Sequence, residues 1–122
     1  MFCFLSVHLS ANIGPQGFSS FKNRYFIETG TLHGSAVQRA LNEGFAEVRS
    51  IEFDVNNYQL CAARFKRVPQ VKLFQGDSSK DLWSLIQDIR EPATFWLDAH
   101  IFPPREDDGK NCPLIEELEQ IL

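Results

Sequence analysis

Four short runs with the character of β-strands, each followed by a stretch with helical periodicity, constrain the fold of this chain more than any other feature. The runs lie at residues 25–28, 47–53, 71–74 and 93–97. After each of them, apolar residues recur every three to four positions, as on one face of a helix. Regular alternation of strand and helix implies a parallel sheet with right-handed crossovers. The sequence therefore predicts an α/β protein, with helices on both faces of a parallel sheet of about four core strands.

The composition narrows the class of protein further. A chain of 122 residues with 43% apolar residues can form one domain with a buried core. A net charge of −4 disfavours binding to nucleic acid, and no apolar run approaches the roughly 18 residues needed to span a membrane. Cys3, Cys61 and Cys112 are widely spaced and odd in number, which favours reduced thiols in a cytoplasmic protein.

The first 23 residues differ in character from the rest of the chain. Residues 2–9 alternate in polarity and predict a short strand, whereas residues 11–22 are rich in glycine, proline and serine and predict a loop. The apolar start lacks a basic leading region and a cleavage site, so it is not interpreted as a secretory signal. We therefore divide the chain into an N-terminal extension, 1–23, and a ligand-binding domain, 24–122.

The segment ETGTLHG, residues 28–34, connects the first predicted strand to the first predicted helix. In an open α/β sheet, such a turn lies at the carboxyl end of a strand, where ligands bind. Gly30 can adopt backbone angles closed to other residues, and Gly34 lets the helix begin close to the strand or ligand. The turn is thus the first candidate for a binding site, although two glycines alone are compatible with any nucleotide.

Each predicted strand ends in a carboxylate: Glu28, Glu52, Asp77 and Asp98. In a parallel sheet the four strand ends lie along one edge, so we expect these side chains at the ligand crevice. A single acidic residue in such a position is most often a helix cap, and Asp77 is open to that interpretation. Four acidic residues at equivalent strand ends favour a binding site over four separate caps.

The spacing of these residues points to an adenosine-containing ligand. Glu52 follows Gly30 by about the 20 residues expected of an acid that holds ribose hydroxyls, the alternative being a solvated strand-end acid. The turn departs from G-x-G-x-x-G, because Leu32 stands where a middle glycine is wanted, and Glu28 at its head would repel a diphosphate. A ligand with a sulfonium or ammonium group suits the turn better, which favours S-adenosylmethionine over NAD.

Several motifs together resemble class I S-adenosylmethionine-dependent methyltransferases, in particular the bacterial group with an E-T-G-T turn and an F-W-L-D-x-H fourth strand. The motifs are ETGTLHG (28–34), IEF (51–53), QGDSS (75–79), FWLDAH (95–100) and CPLIEELEQI (112–121). The resemblance covers residues 24–122 and implies a Rossmann-like sheet. It implies cofactor binding by Glu28, Thr29, Gly30, Thr31 and Gly34 at the methionine part, Glu52 at the ribose, Phe53 beside the adenine, and Asp77 and Ser78 at the adenine edge.

The chain departs from the family pattern in length. The family's sheet has seven strands, and this sequence supplies four, which leaves a substrate wall and a sheet edge without strands. Either the chain is a fragment of a longer methyltransferase, or a partner, such as a second copy, covers that edge. Two functional alternatives follow: a non-catalytic remnant that binds cofactor or serves as an interaction module, and a dinucleotide-binding protein.

The end of the fourth strand supplies the candidate catalytic residues. The resemblance sets Asp98 near the transferred methyl group, and His100 is a candidate base for an acceptor that carries a proton. The two side chains could instead share a metal, but no third ligand is identifiable, or they could be structural. The acceptor implied is a small molecule or a sugar. Trp83 and Trp96 lie in apolar stripes and are expected to pack.

Overall fold

The computed structural model describes residues 17–99 and 112–122 and contains four strands and four α-helices in strict alternation. The predicted strand at 2–9, His100 and most of the loop before the last helix lie outside the described residues. A 3-10 turn at Ser19–Phe21 comes before the first strand. The elements are β1 (Tyr25–Thr29), α1 (Ser35–Asn42), β2 (Glu47–Glu52), α2 (Val55–Arg64), β3 (Val71–Gln75), α3 (Ser78–Ile86), β4 (Ala93–Leu97) and α4 (Leu114–Ile121).

The strands form one parallel sheet in the order β3-β2-β1-β4. From β1, inside the sheet, the path thus moves outward through β2 to β3 and then returns past β1 to β4. Glu28 of β1 lies between Ser50 of β2 and Trp96 of β4 in the register. This α/β Rossmann-like arrangement confirms the predicted fold class, and all four strand ends point to the same edge.

Helices α1 and α2 cover one face of the sheet, which we call the α1–α2 face. The side chains packed there alternate along each strand with those of the opposite face, as the pleat requires. Phe18, from the segment before β1, is 2% exposed and its ring lies 4.6 Å from that of Phe26. The 17–23 segment therefore contributes to the same core as the domain. The buried residues of this face are Phe18, Phe26, Val37, Ala40, Phe45, Val48, Cys61, Phe65 and Trp96.

Helices α3 and α4 cover the other face, which we call the α3–α4 face. The buried residues here are Ile27, Ile51, Leu82, Leu85, Ile86, Ile89, Ala93, Phe95 and Leu97. Strand β4 is buried along its whole length, as its apolar sequence predicts. Trp96 is buried as expected, but Trp83 is 53% exposed because it lies on the outer side of α3, beside the stripe that faces the sheet.

A buried arginine ties the start of β2 to the end of α3 on the α3–α4 face. Arg49 is 5% exposed and lies 2.6 Å from both Glu47 and Asp88, and it also donates to the Leu85 carbonyl. Hydrogen bonds to Arg49 lower the pKa of Asp88 to about 2. Burial alone would raise the pKa of Glu47, but hydrogen bonds from Arg49 and Lys72 outweigh it and lower that pKa. We call these four residues, Glu47, Arg49, Lys72 and Asp88, the Arg49 cluster.

No helix within residues 17–99 and 112–122 is long and apolar enough to cross a membrane.

Candidate functional site at the strand ends

The glycine turn after β1 is held against the ends of both neighbouring strands. The Gly30 amide donates to the Ile51 carbonyl at 2.9 Å, and the Asp98 amide donates to the Thr29 carbonyl at 3.1 Å. Gly30 has φ +81°, and a Cβ on it would lie 2.6 Å from the Asp98 carbonyl oxygen. Both facts require glycine, because other residues rarely adopt this φ and the neighbouring backbone leaves no room.

Leu32, at the tip of the turn, is the only non-glycine residue with positive φ in the described part of the chain, at +51°. Its amide donates to Glu52 Oε2 at 2.7 Å, and its carbonyl accepts from Cys61 Sγ at 3.2 Å. Its side chain is 58% exposed. The position where the sequence lacks an expected glycine therefore has the left-handed backbone that favours glycine.

Glu52 is buried at the end of β2, with 8% exposure. Besides the Leu32 amide at Oε2, it accepts the Asp54 amide at Oε1, 2.9 Å away. A carboxylate oxygen has two lone pairs, so each oxygen can accept one further hydrogen bond. Glu52 thus has a structural role that the sequence does not reveal, while its predicted role at a ribose stays a prediction.

Glu28 is the most unusual charged group of the site. It is 2% exposed, and its Oε2 has no hydrogen-bond partner among residues 17–99 and 112–122. Burial raises its pKa well above the usual value; a hydrogen bond from Ser50 opposes this shift, and the charges of Asp98 and Glu52 add to it. A buried carboxyl with an unused oxygen is costly unless a partner arrives or a proton is retained.

A chain of small polar side chains continues from Glu28 into the turn. Ser50 pairs with Glu28 in the register, and its hydroxyl lies 2.5 Å from that of Thr31, with both groups buried. Thr29 lies on the opposite face of β1, and its hydroxyl also has no partner among the described residues. The hydroxyl of Ser50 on β2 therefore holds Thr31 in place, a role that the sequence did not indicate.

Three of the four strand-end carboxylates come together in space. Both Glu52 and Asp98 are close enough to raise the pKa of Glu28 through their charge. Asp98 is exposed, directly after β4, whereas Glu28 and Glu52 are buried. The exposed Arg64 lies nearby but donates to the His33 carbonyl. The site is therefore electronegative and suits a cation better than a diphosphate.

The fourth carboxylate, Asp77, is the N-cap of α3. Its Oδ1 accepts from the amide of Ser79 at 3.0 Å, and its own amide donates to Asp81 Oδ2 at 2.9 Å. Ser78 is buried, and its hydroxyl lies 2.5 Å from Glu117 Oε1 of α4. Both side chains are thus engaged within the protein, and their predicted contacts to adenine remain a prediction.

Phe53 follows Glu52 and exposes 61% of its surface. Its carbonyl accepts a hydrogen bond from Gln75 Nε2 at 3.0 Å, which fixes the backbone at this point. An exposed aromatic ring beside a buried carboxylate is a suitable surface for a flat base. The glycine at the start of α1, Gly34, packs on the other side of the turn, where a Cβ would lie 2.7 Å from the Phe65 ring.

A groove lies at the opposite end of the sheet. It has a volume of about 320 Å³ and lies between the end of α3, the start of β4 and the end of α4, with Trp83, Ile86, Phe95 and Ile121 in its wall. None of the strand-end carboxylates lines it. Within residues 17–99 and 112–122, no three His, Cys, Asp or Glu side chains are grouped as metal ligands.

Neither the models of known protein families nor the curated proteins contain a match to this chain.

Proposed function

We propose that the strand-end site binds S-adenosylmethionine and that the chain transfers its methyl group to a small-molecule or sugar acceptor. The observation that carries the proposal is the grouping of Glu28, Glu52 and Asp98 around Gly30, with Glu28 Oε2 lacking a partner in the described part of the chain. An electronegative site with an unused buried carboxylate oxygen favours a ligand that carries positive charge.

The residues around the turn fit the parts of this cofactor. Glu28 offers a carboxylate to an ammonium group, which is the charge-assisted bond its burial calls for. Glu52 keeps lone pairs for a diol, and the exposed ring of Phe53 lies next to it in the chain for a base. When bound, the cofactor supplies a methyl group on a positively charged sulfur.

The chain's contribution to transfer is alignment and, where the acceptor carries a proton, a base. Asp98 is exposed at the end of β4, and its carbonyl abuts Gly30. It is the described residue best situated to contact an acceptor at this edge. His100, two residues further on, lies outside the described residues and stays a sequence prediction.

Calorimetric titration of the full chain tests the binding step. We expect S-adenosylmethionine and S-adenosylhomocysteine to bind with a Kd between about 1 µM and 1 mM, the range in which enzyme KM values lie. NAD should bind at least about tenfold more weakly, because a diphosphate meets three carboxylates. Equal or tighter binding of NAD would contradict this proposal and identify the chain as a dinucleotide-binding protein instead.

The matched pair Glu28→Gln and Glu91→Gln separates the site from general charge effects. Both changes replace one carboxyl group with an amide, but Glu91 is exposed at the turn before β4, far along that strand from the site. Glu28→Gln should weaken S-adenosylmethionine binding by about tenfold or more, since a hydrogen bond to a charged group contributes about 1.5–3 kcal/mol. Glu91→Gln should leave the affinity unchanged.

Incorporation of a labelled methyl group tests the catalytic step. The chain is incubated with methyl-labelled cofactor and a panel of sugars and small hydroxyl or amino acceptors. Labelled product that disappears in Asp98→Asn supports transfer. Binding without turnover on any acceptor identifies the chain as a cofactor-binding module.

A further inference from the structure

The tip of the glycine turn is held from two different elements at a single residue, Leu32. The Leu32 amide donates to Glu52 Oε2, at the end of β2, and the Leu32 carbonyl accepts from Cys61 Sγ, in the middle of α2. We call this pair of bonds the Leu32 clamp. The sequence indicates neither bond, since Cys61 stands out there only as one of three widely spaced thiols.

The backbone at Leu32 shows why the turn needs holding. A non-glycine residue with φ of +51° is strained, and the Leu32 side chain is 58% exposed, so packing of that side chain does little to fix the backbone. The 2.7 Å bond from the amide to a carboxylate is short and charge-assisted. The two bonds at its amide and carbonyl therefore stabilise a conformation that leucine does not prefer.

Cys61 is suited to donate to the Leu32 carbonyl. The side chain is 1% exposed, and a Cβ added at Gly34 would lie 3.4 Å from its sulfur, so the turn packs directly on this part of α2. Burial raises the pKa of Cys61, which keeps the thiol protonated. A thiolate could not donate this hydrogen bond.

Glu52 is the residue at which the clamp and the candidate ribose site meet. Its second oxygen accepts the Asp54 amide, so one buried carboxylate connects the turn after β1 to the start of α2. We propose that Glu52, with Cys61 opposite, is a positioning residue that fixes the turn through Leu32, so that turn conformation and binding of a ribose-bearing ligand are coupled through one carboxylate. The coupling rests on the proposed function, whereas the clamp itself requires no ligand.

Amide hydrogen exchange of the ligand-free, ¹⁵N-labelled chain, read by NMR, tests the clamp. In the unmodified chain the amides of Leu32 and Asp54 should be protected. Glu52→Gln replaces one acceptor oxygen with a donor, so exchange of at least one of these amides should accelerate by about tenfold or more, as expected for loss of a bond to a charged group. The Ser79 amide, held by Asp77, serves as the internal control and should not change.

Cys61 variants test the other side of the clamp. Cys61→Ser keeps a donor and should preserve protection of the Leu32 amide, whereas Cys61→Ala removes the donor and should accelerate its exchange severalfold. Because both partners act on Leu32, the double variant Glu52→Gln/Cys61→Ala should accelerate exchange by less than the product of the two single effects. If Cys61→Ala does not fold, the comparison of Glu52→Gln with Cys61→Ser decides.

Calorimetry with S-adenosylhomocysteine and with 5′-methylthioadenosine tests the coupling. Both carry the ribose, and only the first carries the amino acid part. Cys61→Ala should weaken both ligands about equally, by about threefold, and Cys61→Ser should restore the affinity.

The two kinds of readout separate the clamp from the proposed function. If neither ligand binds the unmodified chain, the proposed function fails and the exchange rates still decide the clamp. Unchanged exchange of both the Leu32 and the Asp54 amides in Glu52→Gln overturns the clamp. Accelerated exchange in Cys61→Ala with unchanged ligand affinity overturns the coupling.

Discussion

Strand β2 has buried charged groups near both of its ends, and their surroundings are opposite in kind: oppositely charged partners near its start, and other acids near its end. At its start, Arg49 is surrounded by Glu47 and Asp88, and the pKa values of both acids are lowered. At its end, Glu52 lies near Glu28, whose pKa is raised by burial and by the negative charges of Asp98 and Glu52. Paired charge of the first kind makes each partner costly to remove, whereas unpaired buried charge of the second kind is typical of functional sites.

The comparison predicts its largest effect at Arg49. Arg49→Met should destabilise the fold by about 2–3 kcal/mol, because the buried Leu85 carbonyl loses its donor and two acids lose their partner. Urea unfolding followed by circular dichroism measures this change. Lys72→Met is the control: Lys72 is half exposed and also contacts Glu47, and its loss should cost less than about 1 kcal/mol. Equal effects of the two variants would contradict a structural role centred on Arg49.

The next effect is expected at the turn. Gly30→Ala should destabilise by about 2–3 kcal/mol, because it combines positive-φ strain with a contact to the Asp98 backbone that cannot yield easily. Gly44→Ala has similar strain at φ +90°, but its closest neighbour is the flexible end of Lys22, so we expect about 1 kcal/mol. The difference in urea midpoint between the variants measures the cost of the close approach at the site.

Glu28→Gln should act on stability in the direction opposite to Arg49→Met. With a folded pKa above the unfolded one, Glu28 contributes stability at low pH that is lost as the pH rises from the unfolded value of about 4.3 through the folded one. The amide cannot ionise, so Glu28→Gln should raise the melting temperature at pH 7 and have little effect at pH 4. A lower melting temperature at pH 7 would show that the ionised carboxylate is satisfied in the ligand-free chain.

The same titration predicts a pH dependence of ligand binding. An ammonium group favours ionised Glu28, so the affinity for S-adenosylmethionine should rise as the pH increases through the pKa of this residue, and the rise should be absent in Glu28→Gln. Calorimetry at several pH values in buffers of different ionisation heat detects the released proton. Affinity independent of pH in the unmodified chain would separate Glu28 from the ligand.

The smallest effect is expected at Asp88, whose side chain is 63% exposed. Its folded pKa of about 2 lies below the unfolded value of about 3.9, so its contribution is present above pH 4 and is lost as the pH falls through 2. Asp88→Asn should therefore lower stability slightly at pH 7 and have progressively less effect as the pH falls toward 2, which flattens the acid limb of the stability curve. Glu28→Gln, near the end of β2, should raise stability at pH 7, whereas Asp88→Asn, near its start, should not. The opposite signs distinguish an unpaired buried carboxyl from a paired one.

Sequence periodicity predicted the elements well because it reports which residues of each element face a core. The four strands and four helices appear in the predicted order, and the bounds of each strand lie within one residue of the predicted ones. One alternative that the sequence left open is decided by the structure: Asp77 is the N-cap of α3, with Asp81 as its reciprocal partner. Trp83, expected to pack, is half exposed.

The sequence predicted which acidic residues come together at the candidate site, but it did not predict the hydrogen bonds that they make. A parallel sheet brings the strand ends to one edge, so Glu28, Glu52 and Asp98 could be grouped from the alternation of elements alone. The bond from Leu32 to Glu52 could not be predicted, because it depends on the angle of the turn relative to β2. The engagement of Ser78 by Glu117 likewise depends on where α4 packs against α3.

The sequence by itself determined the alternation of strands and helices, the glycine turn and the acids at the strand ends, because these follow from local periodicity and backbone freedom. Only the tertiary structure decided that Glu28 is buried with an oxygen unused among the described residues, that Glu52 holds the turn and that Arg49 is paired. The physical reason is that burial and partnership are properties of pairs of elements. A carboxyl group is chemically the same near either end of β2. Its neighbours from other elements decide whether its charge is paired and what role it has.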